Sequence, residues 1–439
     1  LSNYRPISLS NSLYKAWTTI LTSILTTIAE SYSLLSNYQE GFRAHRSTLN
    51  NIRLLQNCIE DAHLHSKDIF TLYIDFRAAF PSTDHSRLTT ILRQYNIPPD
   101  LISVISDLYS SATTSFTIPA GTTPPIPISR GTLQGCPLSP ILFLFMVDPL
   151  LRWLEASGGG YRIHSARDPS SPLSHVAPAL GFADDIVITA SYTHGLCSQI
   201  DILLRFCKWS GMTLNLSKCA LSGALWHSSR HHPAPHDSPH SDTLLTVVTP
   251  ALNLLPVPIL HPDKPYPYLG ANITLTGNWS HHLTSVTSKI LKEIRLLALS
   301  PARPDQILRI INHVLLSQIT YSAPLGCFSI RQLHSLDLLL APPVRRARNF
   351  HASFPTIPLF LPVDLLGIGA VSVTSRTTEL LSTQLPLFLN SPGLLGRSTS
   401  SLLSAQLSAC HHNFSHTSSP PPSGLTTLLS SLKTLTHFG

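Results

Sequence analysis

The feature that most constrains this chain is a pair of adjacent aspartates, Asp184 and Asp185, at the centre of an apolar run from 181 to 188. Small apolar residues on both sides predict two short strands, with Asp-Asp in the tight turn between them. Two adjacent carboxylates at a turn repel each other, which costs free energy unless a cation lies close by. The pair therefore predicts a β-hairpin whose tip binds a cation.

A third carboxylate, Asp75, ends another apolar strand, Leu72-Tyr73-Ile74-Asp75-Phe76. Carboxylates presented from strand ends on one rigid surface are the ligands that a two-Mg²⁺ phosphoryl-transfer site needs. The alternative is structural, with Asp75 as a strand-end cap and the adjacent pair as turn formers. An Asp-Asp turn alone does not decide between the two interpretations, because a short motif is only a hypothesis.

Seven motifs in a fixed order provide the context. They are Asn3-Tyr4-Arg5-Pro6-Ile7-Ser8-Leu9, the segment 39–48 that begins Gln39-Glu40-Gly41-Phe42-Arg43, the Asp75 strand running on to Ser82, the segment 130–140 around Gln134-Gly135, the Asp184-Asp185 hairpin, the segment 209–218 ending in Lys218, and Tyr268-Leu269-Gly270. Together they closely resemble the reverse transcriptase domain of non-LTR (LINE-type) retrotransposons, from residue 1 to about 350. An ordered series is far more specific than any single motif.

The resemblance implies a right-hand polymerase of the α+β class. Residues 1–70 are expected to be N-terminally truncated fingers, 71–270 the palm with the remaining finger elements, and 271–350 a helical thumb. The palm is expected to be an antiparallel sheet carrying Asp75 and the Asp184 hairpin. Residues 351–439, rich in Ser, Thr, Leu and Pro, are predicted to be a partly disordered extension. Because the only methionines are Met146 and Met212, we expect the chain to be a fragment of a longer polyprotein or of a decayed element.

Apolar spacing predicts the main elements. Helices are expected over 11–35, 48–65, 86–95, 99–111, 139–155, 201–210, 283–297 and 305–317, and strands over 68–76 and, as two short ones, within 116–128. The stretch 228–265 is predicted to be a loop or disordered insertion, because His231, His232, His236 and His240 alternate there with Pro and Ser. A zinc site is the alternative, although no cysteine joins these histidines.

The resemblance also implies the chemistry: RNA-directed DNA polymerisation, in which a dNTP extends a DNA primer on an RNA template. Two Mg²⁺ ions, for which Mn²⁺ can substitute, are the implied cofactors. Asp75 and Asp184 are expected to bridge the metals, Asp185 to be a less essential third carboxylate, and the carbonyl of Phe76 to be an additional ligand.

Four further residues have implied roles around the nucleotide. Phe80 is expected to exclude a 2′-hydroxyl, although an ordinary core residue is the alternative. Gln134 and Gly135 are expected to approach template or sugar, unless they merely begin a helix. Lys218 matches a lysine near the pyrophosphate and is otherwise a surface cation. The family often has Asp where Pro81 and Cys136 stand here, and neither change removes an implied metal ligand.

Arginines and one hairpin complete the expected contacts. Arg5 is the leading phosphate-binding candidate, and Arg43 and Arg46 are structural or phosphate-contacting alternatives. The segment Tyr268-Leu269-Gly270 resembles the hairpin that positions the primer 3′ end. The cluster Arg345, Arg346 and Arg348 is predicted to contact nucleic-acid backbone, with a solvated arginine face as the alternative.

Composition sets the remaining limits. The 30 Lys and Arg against 23 Asp and Glu give a net charge of +7, which is consistent with a polyanionic partner. The seven cysteines are scattered along the chain, which indicates reduced intracellular thiols. No apolar run reaches the ~18 residues that a membrane span requires. Charged residues make up only 12%, which keeps open the alternative of an inactive remnant of a retroelement. The basic residues of the expected fingers and thumb leave a second alternative, a non-catalytic nucleic-acid-binding module. Location in the nucleus and cytoplasm is implied by the family alone.

Overall fold

A computed structural model of the chain describes residues 8–119, 121–164, 176–226, 240–326 and 328–413. The described residues form two compact units. Of the described residues, the first unit, here called the sheet unit, comprises 8–51, 66–119, 121–163, 176–226 and 240–261. The second, the helical unit, comprises 52–65, 164, 262–326 and 328–413. The expected boundaries of fingers, palm and thumb stay predictions.

The sheet unit alternates helices with short strands. Its helices are α1 Ser12–Ser31, α2 Thr48–His65 (which continues into the helical unit), α3 His85–Gln94, α4 Pro99–Ser110, α5 Ser139–Ser157, α6 Thr193–Ser210 and α7 His240–Leu254. Its strands are β1 Ile69–Ile74, β2 Thr113–Thr114, β3 Thr117–Ile118, β4 Gly121–Thr122, β5 Ile126–Pro127, β6 Tyr161–Arg162, β7 Val176–Ala177, β8 Ala179–Phe182, β9 Asp185–Ala190, β10 Ala220–Ala224 and β11 Ile259–Leu260.

Five strands form the central sheet, in the order β11-β10-β1-β9-β8. The pairs β10–β1, β1–β9 and β9–β8 are antiparallel, and β11 joins β10 in parallel. All six residues of β1 are buried, which is expected of a central strand covered on both faces. The α+β class is therefore confirmed, and the sheet is antiparallel as predicted except for the outer strand β11.

Helix α5 lies at the centre of the core. Its segment from 141 to 147 is completely apolar, and each of these side chains is at most 4% exposed. Pro140 lies in its first turn, where a missing N–H costs nothing, and Gly158 ends the helix with φ +65°. The hydrophobic core therefore surrounds one helix that is apolar on all sides and rests near the sheet.

Three predictions about the sheet unit need correction. Residues 240–254 are not a loop but helix α7, because Leu244, Val248 and Ala251 repeat at helical spacing and are buried. Residues 231, 232 and 236 lie outside the described residues, as does the side chain of His240. Within 116–128 there are three two-residue strands in place of the predicted two: β3 pairs with β4, and β5 pairs with β2, which lies just before this stretch. Helix α6 begins at Thr193, earlier than predicted.

The helical unit contains a hairpin of β12 Tyr266–Tyr268 and β13 Ala271–Ile273, followed by helices α8 Ser280–Leu299, α9 Pro304–Ile310, α10 Leu316–Thr320, α11 Ile330–Ala347, α12 Ile357–Phe360, α13 Val373–Leu389 and α14 Leu394–Asn413. A π-helical turn, Ile311–Leu315, joins α9 to α10. The helices predicted over 283–297 and 305–317 are thus confirmed, the second with a π-helical turn within it; their assignment to a thumb stays a prediction. The described part of 351–439 is largely helical, and the proline-rich run 418–423 lies outside it.

Two composition-based expectations can be compared with the coordinates. The five described cysteine side chains, Cys58, Cys136, Cys197, Cys207 and Cys219, are free thiols. Among the described residues, no helix has both the length and the apolar character needed to span a membrane.

Candidate active site at the edge of the sheet

The sheet brings the three predicted catalytic aspartates to one end of its strands, here called the sheet edge. Strand β1 pairs with β9 in a register that sets Ile74 opposite Ile186, so one further step sets Asp75 opposite Asp185. Strand β9 begins at Asp185, which pairs with Phe182 across the hairpin. Asp75 and Asp184 are half-buried and Asp185 is exposed. Adjacent antiparallel strands therefore deliver all three carboxylates to the same end of the sheet.

The hairpin differs from the predicted one in a single respect. The two residues between the paired Phe182 and Asp185 are Ala183 and Asp184, so Asp-Asp does not fill the turn. Ala183 has φ +56°, a left-handed conformation that non-glycine residues adopt at a cost. Its side chain is 4% exposed. Asp184 is thus presented from the turn itself, and Asp185 from the start of the strand.

The backbone of Asp75 is fixed on the side of β10. Its carbonyl accepts a hydrogen bond from the N–H of Asn215 at 2.8 Å, and the N–H of Arg77 donates to the carbonyl of Thr213 at 2.8 Å. Because a trans peptide places its C=O and N–H on opposite sides, the N–H and carbonyl of Phe76 point away from this segment. That orientation turns the Phe76 carbonyl toward the β9 side of β1, where the aspartate hairpin lies.

The oxygen donors at this edge are of the kind that Mg²⁺ prefers. No group of three or more His, Cys, Asp or Glu side chains within the described ranges is close enough to form a metal cage. Mg²⁺ in phosphoryl-transfer sites is commonly held by one or two carboxylates together with substrate phosphates and waters. The oxygen donors at the edge therefore fit an ion that takes its remaining ligands from phosphate and water.

Phe80 and the Gln134 loop lie together beside helix α5. The ring of Phe80 stacks on that of Phe143, with centroids 4.3 Å apart. The carbonyl of Phe80 accepts from the N–H of Thr132 at 3.0 Å. Gly131, with φ +90°, lies very close to Pro81. A Cβ added at Gly131 would come within 2.7 Å of the Cα of Pro81. The exposed Gly135, with φ +104°, follows the half-buried Gln134.

Two other residues contact parts of the site from separate segments: Lys218 contacts Asn215, and Phe42 contacts Phe80. Lys218 is exposed, and its N–H donates to the carbonyl of Asn215, the residue that holds Asp75. Phe42 is 53% exposed with φ +55°, and its ring meets that of Phe80 edge-on at 6.3 Å. Phe42 was not singled out from sequence, since a lone aromatic in a loop gives no signal.

The predicted arginines of the sheet unit are held by acidic partners. Arg43 is 8% exposed and makes paired 2.8 Å bonds to both carboxylate oxygens of Glu30. Arg46 bonds to Glu40 at 2.7 Å. Of the two alternatives left open for these arginines, the observed contacts favour the structural one. Arg5 lies outside the described residues.

The remaining predicted residues belong to the helical unit. Leu269 and Gly270, with φ +47° and +86°, form the turn of the β12–β13 hairpin, and the hydroxyl of Tyr321 donates to the Leu269 carbonyl at 2.7 Å. Tyr268 is buried. The three clustered arginines lie at the end of α11: Arg345 donates to the Phe354 carbonyl and the Thr356 hydroxyl, while Arg346 and Arg348 are exposed.

Residues 1–273 match the family model described as reverse transcriptase (RNA-dependent DNA polymerase). This is more than half of the chain, and the chain therefore belongs to that family. The match includes the whole sheet edge with Asp75 and the Asp184 hairpin. Enzymes of the family generally depend on divalent metal ions.

The chain is also similar to polyproteins of retrotransposable elements. It is 27% identical over 371 residues to the retrovirus-related Pol polyprotein of the type-2 element R2DM from Drosophila melanogaster, covering 84% of this chain and 32% of the polyprotein. It is 25% identical over 370 residues to an R2 Pol polyprotein from Popillia japonica, covering 84% and 48%. The resemblance to non-LTR retrotransposons is confirmed, and the chain spans less than half the length of these two relatives.

Among solved structures, the chain is similar to the apo telomerase from Candida tropicalis, with a TM-score of 0.42, 10% identity, and coverage of 92% of this chain and 60% of that one. It resembles the telomerase from Candida albicans in complex with a fragment of telomeric RNA to a similar degree, with a TM-score of 0.41. Similarity at this level carries no argument about function.

Proposed function

We propose that this chain is the polymerase portion of a retroelement protein and extends a DNA primer on an RNA template with dNTPs. The observation that carries the proposal is the placement of Asp75 beside the Asp184–Asp185 hairpin at one sheet edge, inside the region that matches the reverse transcriptase family. A protein that only bound nucleic acid would gain nothing from clustered carboxylates facing a phosphate backbone.

In the proposed reaction, the 3′-oxygen of the primer attacks the α-phosphorus of the dNTP. A new P–O bond forms, the bond to pyrophosphate breaks, and the proton of the hydroxyl is released to solvent. Two divalent ions, Mg²⁺ or substituting Mn²⁺, supply activation of the hydroxyl and neutralisation of the triphosphate when bound. Asp75 and Asp184 would hold these ions, with the Phe76 carbonyl and Asp185 as further oxygen donors.

The other residues at the edge shape the nucleotide site. Phe80, fixed by its stack on Phe143, lies beneath the sugar and excludes a 2′-hydroxyl. Gln134 and Gly135 approach the template and the nucleotide sugar, and the exposed Lys218 is positioned to donate a proton to the departing pyrophosphate. Arg5 is the phosphate ligand, since Arg43 and Arg46 are held by Glu30 and Glu40.

The helical unit is proposed to contribute the nucleic-acid grip. The turn at Leu269 and Gly270 positions the primer end, and the exposed Arg346 and Arg348 contact backbone phosphates. Arg345 supports this cluster through its bonds to residues 354 and 356. Each phosphate contact adds to the salt dependence of binding, by a slope of about −0.9 on duplex.

The test is primer extension by the purified chain, begun with an added methionine, on an RNA template with a DNA primer, dNTPs and Mg²⁺. The matched control is Asp184→Asn, which keeps the size of the side chain. Extension by the parent chain and its loss in the control supports the proposal. A folded parent chain that binds the primer-template without extending it would overturn it in favour of a binding module or an inactive remnant.

A further inference from the structure

One buried side chain, that of Gln39, is hydrogen-bonded to the turn that presents Asp184. Its Oε1 accepts a hydrogen bond from the N–H of Ala183 at 2.8 Å, and its Nε2 donates to the carbonyl of Ala183 at 3.4 Å. Gln39 is 1% exposed. A single carboxamide therefore satisfies both peptide groups of the residue with φ +56° that directly precedes Asp184.

The backbone around Gln39 adds a second set of contacts to the same hairpin. Strand β8 is the outer strand of the sheet. The segment 36–43, here called the bracing loop, runs along the side of β8 that faces away from β9. The N–H of Gly181 donates to the carbonyl of Tyr38, and the N–H of Glu40 donates to the carbonyl of Gly181, both at 2.8 Å. These two hydrogen bonds fix the position of the loop along β8, directly beside the turn.

The approach of the bracing loop is so close that only glycine fits at Gly41. A Cβ at this position would lie 2.4 Å from the backbone nitrogen of Ala183 and 3.0 Å from Oε1 of Gln39. The N–H of Gly41 also donates to that Oε1 at 2.9 Å. Gln39 is consequently fixed from its own loop as well as from the turn.

The bracing loop is in turn anchored at both ends by buried charges. Arg43 bonds to Glu30 through two nitrogens and to the carbonyl of Ser36 at 2.8 Å. The N–H of Ser36 donates to the carboxylate of Asp148 in helix α5. A loop with this many buried polar contacts is rigid, and rigidity of supporting groups is what precise placement of a catalytic side chain requires.

We propose that Gln39 is a positioning residue for the polymerase reaction, because it fixes the peptide groups of Ala183 and so the direction in which Asp184 meets metal and primer. The inference rests on the proposed function. A displacement of a reacting group by about 1 Å is enough to reduce a rate by about a hundredfold. Loss of the carboxamide should therefore act on the reaction rather than on folding alone.

The test compares two isosteric substitutions, Gln39→Met and Gln199→Met. Gln199 is fully buried in the same unit and donates to the carbonyl of Pro178 at 2.9 Å, at the opposite end of β8 from the turn. Each substitution removes a buried carboxamide from the support of the same strand. Both are expected to lower the melting temperature. Gln39→Met should lower it more, because it leaves the N–H groups of Ala183 and Gly41 without their acceptor, whereas Gln199→Met removes one bond to the Pro178 carbonyl. The two variants are therefore compared by their rates per folded molecule.

Single-turnover primer extension, measured per folded molecule over a Mg²⁺ titration, is the first readout. Gln39→Met is expected to lower the maximal rate by about ten- to a hundredfold and to raise the Mg²⁺ concentration needed, with primer-template affinity unchanged. Gln199→Met should stay within about twofold of the parent chain.

Binding of Mn²⁺, followed by electron paramagnetic resonance in the presence of a dideoxy-terminated primer-template and dNTP, is the second readout and needs no turnover. Weaker Mn²⁺ binding in Gln39→Met than in Gln199→Met supports the inference. Equal rates and equal Mn²⁺ binding in the two variants would overturn it and leave Gln39 a structural residue. A parent chain that fails to extend would defeat the proposed function, and Mn²⁺ binding would then decide the role of Gln39 separately.

Discussion

The sheet unit and the helical unit both bury polar side chains, but they use them differently. In the sheet unit, Gln39 and Asp148 bond to loops that have no regular structure of their own, at Ala183 and at Ser36. In the helical unit, buried polar groups join regular elements: Asn57 of α2 donates to Ser398 and Thr399 of α14. The first arrangement holds irregular chain in place near the candidate active site, and the second docks helices on one another.

This comparison teaches that equal burial does not imply an equal role. A buried hydrogen bond stabilises a fold by about 1 kcal/mol wherever it occurs. Its effect on catalysis depends on whether the group that it fixes carries the chemistry. The following experiments separate stability from activity per folded molecule in each unit.

The largest effect is expected for Asp184→Asn at the sheet edge. Removing a negative charge from the proposed metal site should lower the extension rate by about 10⁴-fold, which corresponds to about 5 kcal/mol in the activation barrier. Because Asp184 is half-buried at a turn, the melting temperature should change little. Single-turnover extension together with a thermal melt checks both expectations. A variant that retains more than about a tenth of the parent rate would exclude Asp184 as an essential ligand.

A paired substitution of two buried carboxylates tests the comparison directly. Asp148 accepts bonds from the N–H of Ser36, the hydroxyl of Tyr95 and the guanidinium of Arg152, so Asp148→Ala should cost roughly 3 kcal/mol of unfolding free energy. Asp337 accepts from the first residues of α13, including the N–H of Val373 at 2.6 Å. Asp337→Ala should cost roughly 2 kcal/mol, as the loss of a helix cap does.

Activity per folded molecule distinguishes the two carboxylates. Asp148→Ala should also lower the extension rate, because Asp148 anchors the bracing loop at Ser36. Asp337→Ala should leave that rate within about twofold. Denaturant unfolding and extension below the unfolding transition supply the two measurements. Equal losses of rate in both variants would contradict the distinction between the units.

A smaller, pH-dependent effect is expected in the helical unit at His282. Burial lowers the pKa of His282 to about 4, and the ring is held neutral, with Nδ1 accepting from the N–H of Asn272 and Nε2 bonded to the hydroxyl of Ser322. Protonation is easier in the unfolded chain, where the pKa is near 6.5. The stability contribution of His282 is thus complete above about pH 6.5 and is lost as pH falls toward 4.

The expected loss for the parent chain is on the order of 2 kcal/mol between pH 7 and pH 4. Urea unfolding at several pH values measures it, and His282→Gln serves as the control because a carboxamide does not titrate. The parent chain should show a steeper fall in stability than the variant. Parallel curves for the two proteins would assign the acid sensitivity to other groups.

The smallest effect is expected for nucleotide selection at Phe80. If Phe80 lies beneath the nucleotide sugar as proposed, Phe80→Val opens space there. Incorporation of rNTPs relative to dNTPs should then rise about tenfold, or about 1.4 kcal/mol. Competitive single-nucleotide insertion measures the ratio. Since Phe80 also stacks on Phe143, Phe143→Leu is the control: it loses the stack without opening the sugar site. A similar rise in both variants would show that packing, and not the Phe80 ring itself, controls selection.

Much of this molecule was accessible from sequence. Periodic apolar residues fixed helices such as α2 and α4 to within a residue, because burial of one face dominates local structure. Helix α7 was missed, since the His- and Pro-rich composition before it concealed the spacing of Leu244, Val248 and Ala251. The family could be predicted because seven motifs occur in a fixed order, and an ordered series of motifs is far more specific than any one of them.

The sequence by itself determined which residues carry the proposed chemistry: three carboxylates, an aromatic residue, a glycine turn and a lysine. Only the tertiary structure decided how they are held. The register between β1 and β9 brings Asp75 level with Asp185, and the carboxamide of Gln39 crosses 144 positions of the chain to reach Ala183. Such contacts join segments that are distant in sequence, so they are set by packing and by the need to satisfy buried polar groups, which no local pattern records.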